Sequence, residues 1–265
     1  MNRKWLLLGI SLFMSSRAFA VIRPDASIPN KVGNFFRDIV KDAIRLHVNL
    51  FSVDSAKVVA GVTPFYISTR FIDEKIQCNF YDPACHKNVC QFPNAAHTMA
   101  KCSVAVPMIV LSTAYLWGWN EDIRYTGWMT AVALPFVQSG KDIIKKARTK
   151  ACLRPWNEHF SKHERSSGGF PSGHMANVAF LTTLWGMRHG PKWAVPIALV
   201  GTFVAADFVN CNRHYVSQLV AGIGLGVIYG FAASKVVDCK LQEHWSVNVC
   251  ADKQGEPCLQ IGYKF

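Results

Sequence analysis

Three short segments carry residue types that can hold an oxyanion and move a proton. Arg154-Pro155 comes first, Pro171-Ser172-Gly173-His174 second, and His214 to Gly222, reading HYVSQLVAG, third. Gly168-Gly169-Phe170-Pro171 cannot continue a helix, so Ser172 is placed to cap one that starts after it. The free N–H groups of such a start, with the helix dipole behind them, make an anion site. His174 then stands in the first turn, where a titratable imidazole can protonate a leaving oxygen. His214 opens an apolar helix, and Gln218 follows one turn later on the same face. An imidazole whose far nitrogen is held by such an acceptor is a positioned nucleophile. Lys150 and Arg154 lie one turn apart if that stretch is helical, and such a pair holds a phosphate, the arginine in bidentate fashion. Singly, each feature has a plainer reading: an ordinary helix cap, a histidine bonded to backbone or water, a basic surface.

These residues sit in a basic, apolar chain. Of 265 residues, 50% are hydrophobic and 17% charged, and the formal net charge is +12. The mean hydropathy of +0.13 is high for a cytosolic enzyme and low for a chain made only of membrane spans. Disordered, low-complexity and collagen-like classes are excluded. The charge suits phosphates, anionic lipid or nucleic acid, and location decides among them.

The first twenty residues suggest that location. Arg3 and Lys4 precede the apolar stretch Trp5 to Met14, and Ala18-Phe19-Ala20 is a small-x-small cleavage site. This reads as a bacterial export signal, residues 1–20; an uncleaved anchor is the alternative, and the stretch is short for a span. Export argues against nucleic acid as a partner. It also suits nine cysteines. Cys78, Cys85, Cys90 and Cys102, interleaved with His86 and His97, read as disulfide-forming rather than zinc-binding, since no paired C-x-x-C spacing is present.

Helical periodicity is strong in residues 31–50. In residues 31–50 one face carries Val32, Phe35, Phe36, Ile39, Val40, Ala43 and Ile44, and the other is charged. Such a helix lies in a membrane interface or packs on a protein core. Residues 54–77 predict a second helix with Asp54 as its cap. From Cys102 onward five apolar stretches follow: 102–120, 125–140, 175–187, 193–206 and 214–234. Their lengths are marginal for spans, and the spanning reading is preferred to a buried soluble core. No strand-type alternation and no repeat stands out. Between the second and third stretches lies a polar insert, 141–173, and eight Lys or Arg against three acids fall in 141–165.

Order and spacing together resemble the superfamily of type 2 phosphatidic acid phosphatases and vanadium haloperoxidases. Its pattern is K-x6-R-P, then P-S-G-H, then S-R-x5-H-x3-D, and the likeness covers residues 101–238. The resemblance implies an all-α helical bundle with about five membrane-spanning helices after signal cleavage. It implies His214 as nucleophile, forming a phosphohistidine, and His174 as general acid. Arg154, Ser172 and Gly173 then cradle the phosphate, and neither cofactor nor metal is needed. Three positions depart from the pattern. Ala147 stands where the family has Lys, with Lys146 and Lys150 flanking it; Lys150 is the expected substitute. Asp207-Phe208 replaces Ser-Arg, leaving Arg213 as the nearby cation, and Gln218 replaces the orienting Asp. The departures argue against vanadate-dependent halogenation.

The expected organisation is therefore a signal at 1–20, an N-terminal helical and Cys-containing region at 21–100 on the exported side, a phosphatase-like core at 101–238 and a Cys-containing tail at 239–265. The expected activity is metal-free hydrolysis of a phosphomonoester or pyrophosphate. Its substrate would be an envelope lipid phosphate or another phosphorylated small molecule. The setting would be the bacterial inner membrane with the site facing the periplasm, or a soluble periplasmic form. The rival reading is a phosphate- or lipid-binding membrane protein of the same fold with weakened catalysis.

Overall fold

The computed structural model describes residues 28–82, 87–88, 94–146, 153–155, 168–251 and 257–263. Two compact units divide the chain, Met1–Arg45 and Leu46–Phe265. Most of helix α1 (Ile28–Leu50) belongs to the first. Its apolar stripe is not packed away: Phe36, Val40 and Ile44 are all exposed.

The second unit is a helical bundle. Its helices are α2 (Val53–Gln77), α3 (Asn94–Ser103), α4 (Ala105–Ser112), α5 (Ala114–Trp117), α6 (Glu121–Lys145), α7 (Gly173–His189), α8 (Pro191–Asn210) and α9 (Val216–His244). Two antiparallel pairs complete the described elements, β1 (Tyr81–Asp82) with β2 (Lys87–Asn88), and β3 (Trp245–Ala251) with β4 (Pro257–Tyr263). The tail hairpin, which puts Cys250 opposite Cys258 in register, departs from the strand-free expectation. Its alternation of apolar and polar residues is short and easily masked by the helices before it.

The polar punctuation falls where expected. Asn120 caps α6 by accepting from the Ile123 N–H at 2.8 Å. Gly190, at φ +82, turns α7 into α8. For α2 the cap is Ser52, which accepts from the Ser55 N–H, and not Asp54.

Helices α7 and α9 form the centre. Phe180, Leu181, Leu184 and Trp185 of α7 are fully buried. Every fourth residue of α9 from 222 to 230 is glycine, and a Cβ at Gly222 or Gly226 would strike the Ser172 or Ala176 carbonyl oxygen. Small residues at this spacing let two backbones approach closely. That approach brings the start of α7, with Ser172 and His174, against the start of α9.

Among the described residues, three helical stretches are long and apolar enough to cross a membrane: Thr98–Trp117, Pro191–Asn210 and Val216–Glu243. The other two apolar stretches are also helical. However, α7 has 17 residues, about 26 Å of rise against a hydrocarbon core of ~30 Å. Helix α6 carries charges at both ends. Cys78, Cys102 and Cys239 stand as thiols among the described residues, and the Cys211 Sγ donates to Asp207 Oδ1 at 3.6 Å. Cys85 and Cys90 lie outside the described residues.

Candidate active site

The turn between α8 and α9 presents His214. Asn212 takes a left-handed conformation, φ 51, which asparagine tolerates. The N–H groups of Arg213 and His214 both donate to the Phe208 carbonyl, at 2.9 and 3.2 Å, closing the loop. His214 is buried, 4% exposed.

One side chain determines which nitrogen of His214 is free. The Gln218 Nε2 donates to the Leu153 carbonyl at 2.6 Å, and its Oε1 accepts from the Tyr215 N–H at 3.2 Å. Those two partners leave the amide one orientation only, since a carbonyl cannot donate and an N–H cannot accept. His214 Nδ1, 3.3 Å from Oε1, must therefore carry the proton. Its Nε2 keeps the lone pair. Gln218 also accepts through its main-chain carbonyl from the Ser172 N–H at 3.0 Å. One residue thus joins Leu153, just before Arg154, the start of α7 and the His214 turn. Gly169 makes room for it: a Cβ there would lie within 2.6 Å of Gln218 Nε2.

The second imidazole is close by. His174 stands edge-on to the Phe208 ring at 4.9 Å between centroids, and His214 lies against the same ring at 5.6 Å. Phe208, in the family's arginine position, fills the space between them.

Among the described residues, two cations bear on His214. Burial first, then the charges of Arg154 and Lys145, push the His214 pKa down to about 3; the bond to Gln218 opposes them, and His174 adds to the lowering. Burial, and then Arg213, lower the Arg154 pKa. Arg154, Arg213, Lys145, His174 and His214 therefore share one electrostatic environment. Ser172 occupies the N-cap position of α7, but its side chain makes no capping bond, contrary to expectation. Its Oγ is fully buried with no partner among the described residues, and so is available to a bound oxyanion. Lys141 lies across Gly173, where a Cβ would meet its Cδ at 2.7 Å.

Of the flanking lysines, Lys146 is exposed at the end of α6, and Lys150 lies outside the described residues. Leu153 to Pro155 is not helical, which removes the one-turn argument for Lys150. Among the described residues the lysine acting on His214 is Lys145, half-buried and nine residues before Arg154 rather than seven. A two-residue slip in the pattern was its only signal in the sequence.

Residues 123–240 match the profile of the PAP2 superfamily, the type 2 phosphatidic acid phosphatases. Over this segment the chain resembles a PAP2 core. A solved structure, "Crystal structure of the first transmembrane PAP2 type phosphatidylglycerolphosphate phosphatase from Bacillus subtilis", aligns with 67% of this chain and 96% of that chain. Identity is 14% and the TM-score 0.31. No curated protein matches the chain. In the matched segment all three motif regions meet through Gln218.

The His214 environment has a consequence for stability. A histidine in the unfolded chain titrates near 6.5, but His214 stays neutral in the fold down to about 3. Between those values the unfolded chain binds more protons, so stability rises with pH and falls on acidification. Lowering the pH from 7 to 4 should cost about 3 kcal/mol through this residue. Denaturant midpoints in detergent, compared between the parent and His214→Asn, should fall more steeply on acidification in the parent, the difference being this residue's contribution.

Proposed function

We propose that this chain is a phosphatase acting on a phosphomonoester or pyrophosphate of an envelope lipid, through a phosphohistidine and without a metal. The observation that carries the reading is the neutral, tautomer-fixed His214 with Nε2 free, paired across Phe208 with His174 among Arg154, Arg213 and Lys145.

In the first step His214 Nε2 attacks phosphorus, the P–O bond to the leaving group breaks, and His174 gives that oxygen its proton. The cations and the Ser172 hydroxyl hold the non-bridging oxygens as charge develops. In the second step His174 takes a proton from water, the hydroxide attacks phosphorus, and the P–N bond breaks. Inorganic phosphate leaves and both imidazoles return to their starting states. Apolar helices beside the site suit a substrate whose tail stays in the bilayer. The N-terminal export signal supports placing the site on the periplasmic face of a bacterial inner membrane.

Phosphate release from a diacylglycerol phosphate or a polyprenyl diphosphate in detergent micelles tests the activity. His174→Ala should cost about 10²–10⁴-fold on an alkyl phosphate, whose leaving oxygen needs a proton. The loss should shrink on an aryl phosphate with an acidic leaving group. Equal losses on both would remove His174 from the proton-donor role. Phe208 in the arginine position and Gln218 in the carboxylate position favour the second reading, a binding protein of weakened catalysis. Phosphate-competed lipid binding with no phosphate released across the panel would establish that reading instead.

A further inference from the structure

Residues Arg70, Asp73, Glu74 and Gln77 recur at the spacing of one helix face on α2. All four engage the turn that presents His214. The Asp73 Oδ1 accepts from the Ser217 N–H at 3.0 Å, and its Oδ2 accepts from the Ser217 hydroxyl. Arg70 Nη1 donates to that carboxylate at 3.0 Å, and its guanidinium lies 5.6 Å from the Tyr215 ring centroid. The Tyr215 hydroxyl donates to Glu74 Oε1 at 2.6 Å. Gln77 Nε2 donates to the Val209 carbonyl at 2.9 Å and also to Asn212 Oδ1. Asn212 in turn donates to the Phe80 carbonyl at 2.6 Å.

Positions 209, 212, 215 and 217 thus bracket Arg213 and His214, and each is tied to α2 or to Phe80 just beyond it. Asp73 and Ser217 are each 1% exposed. The Ser217 N–H belongs to the first turn of α9, where no carbonyl of the helix itself can satisfy it. A carboxylate there also suits the helix dipole. In the PAP2 pattern the carboxylate near the nucleophile follows it on its own helix. Here that place holds Gln218, and a carboxylate reaches the same helix end from α2.

We infer that Asp73 is a positioning residue for the proposed phosphohistidine chemistry, holding the first turn of α9 so that His214 faces the phosphate site. This inference rests on the phosphatase reading for its kinetic part only. Asp73 touches neither the substrate nor the reacting atoms; it acts through Ser217 and the turn.

The test pairs kinetics with a readout that needs no turnover. In full-length protein in detergent micelles, labelled-histidine NMR follows the titration of His214, and phosphate release from a diacylglycerol phosphate gives kcat and KM. Asp73→Ala should lower kcat tenfold or more with KM little changed, and shift the His214 titration upward as the ring gains solvent. Asp73→Asn, which still accepts from the Ser217 N–H, should recover part of both. Should Asp73→Ala fail to fold, Asp73→Asn and Ser217→Ala carry the test, with smaller shifts in the same direction. Asp54→Asn, at the far end of α2 where Asp54 pairs with Lys235 at 2.6 Å, should leave both readouts unchanged. An unmoved titration and unmoved kcat in the Asp73 and Ser217 variants would overturn the inference. So would equal effects from Asp54→Asn, which would make the role one of general helix docking. A wild type inactive on every phosphate, whose His214 titration still moves with Asp73, would sustain the positioning role and sink the phosphatase reading.

Discussion

Replacing His214 with alanine should abolish phosphate release, by about 10⁴-fold or more, as loss of a covalent nucleophile does. The expectation follows from the proton inventory at the ring. Gln218 Oε1 accepts a hydrogen bond from the His214 Nδ1–H, and the Gln218 amide cannot turn over because Leu153 and Tyr215 hold its two ends. Nε2 is then the only lone pair the ring can offer. Burial and the neighbouring cations hold the ring neutral, so that lone pair is present across the whole range from pH 5 to 9. On the proposed mechanism, rapid quenching of the parent protein with a labelled phosphate ester should trap an acid-labile, base-stable phosphoryl adduct, and His214→Ala should trap none. A variant that turns over as fast as the parent would end the covalent mechanism. A variant that is inactive but still forms the adduct would move the nucleophile elsewhere.

Gln218→Ala should give the second-largest effect, and on two quantities together. The side chain holds the His214 tautomer and also closes the bundle around Arg154. Removing it leaves the Leu153 carbonyl and the Tyr215 N–H without their partners, each at about 1–3 kcal/mol. A loss of about 3 kcal/mol in stability and about 10²-fold in kcat is expected, read from denaturant midpoints and initial rates. The main-chain bond from Ser172 to Gln218 survives the substitution, so the start of α7 should stay docked. Gln218→Glu separates the two roles. It keeps an acceptor for His214 but places carboxylate oxygen against the Leu153 carbonyl, so stability should suffer more than the histidine tautomer. A Gln218→Ala variant of parental stability and rate would show that the three motif regions hold together without this residue.

Much of the site was legible before any coordinates, because its chemistry is local in the chain. Pro171 to His174 could only begin a helix, and α7 begins there. His214 and Gln218 are four residues apart, and that spacing alone places one over the other. The apolar runs after Cys102 all became helices, since burial in a bundle follows the 3.6-residue period directly. Other features failed for identifiable reasons. Counting back from Arg154 points to Lys146 and Lys150, whereas among the described residues Arg154 and Lys145 are the cations that bear on His214; Leu153 to Pro155 is not helical, so the count has no fixed pitch there, and Lys150 lies outside the described residues. Ser172 has the residue type of a cap, yet its hydroxyl makes no such bond. The tail hairpin was missed because seven alternating residues after a long apolar helix carry little signal.

The order of the motifs, the helix starts that carry them and the identity of both imidazoles are properties of the linear chain. Each depends on neighbours no more than a turn away, and one turn of backbone has few conformations to choose among. Which cation faces His214, which ring separates it from His174 and which carboxylate steadies its turn were decided by tertiary packing. Phe208, Lys145 and Asp73 reach the site from α8, α6 and α2, and the residues between them place no limit on such meetings. The glycines of α9 do: by admitting the backbone of α7, they determine which helix starts meet.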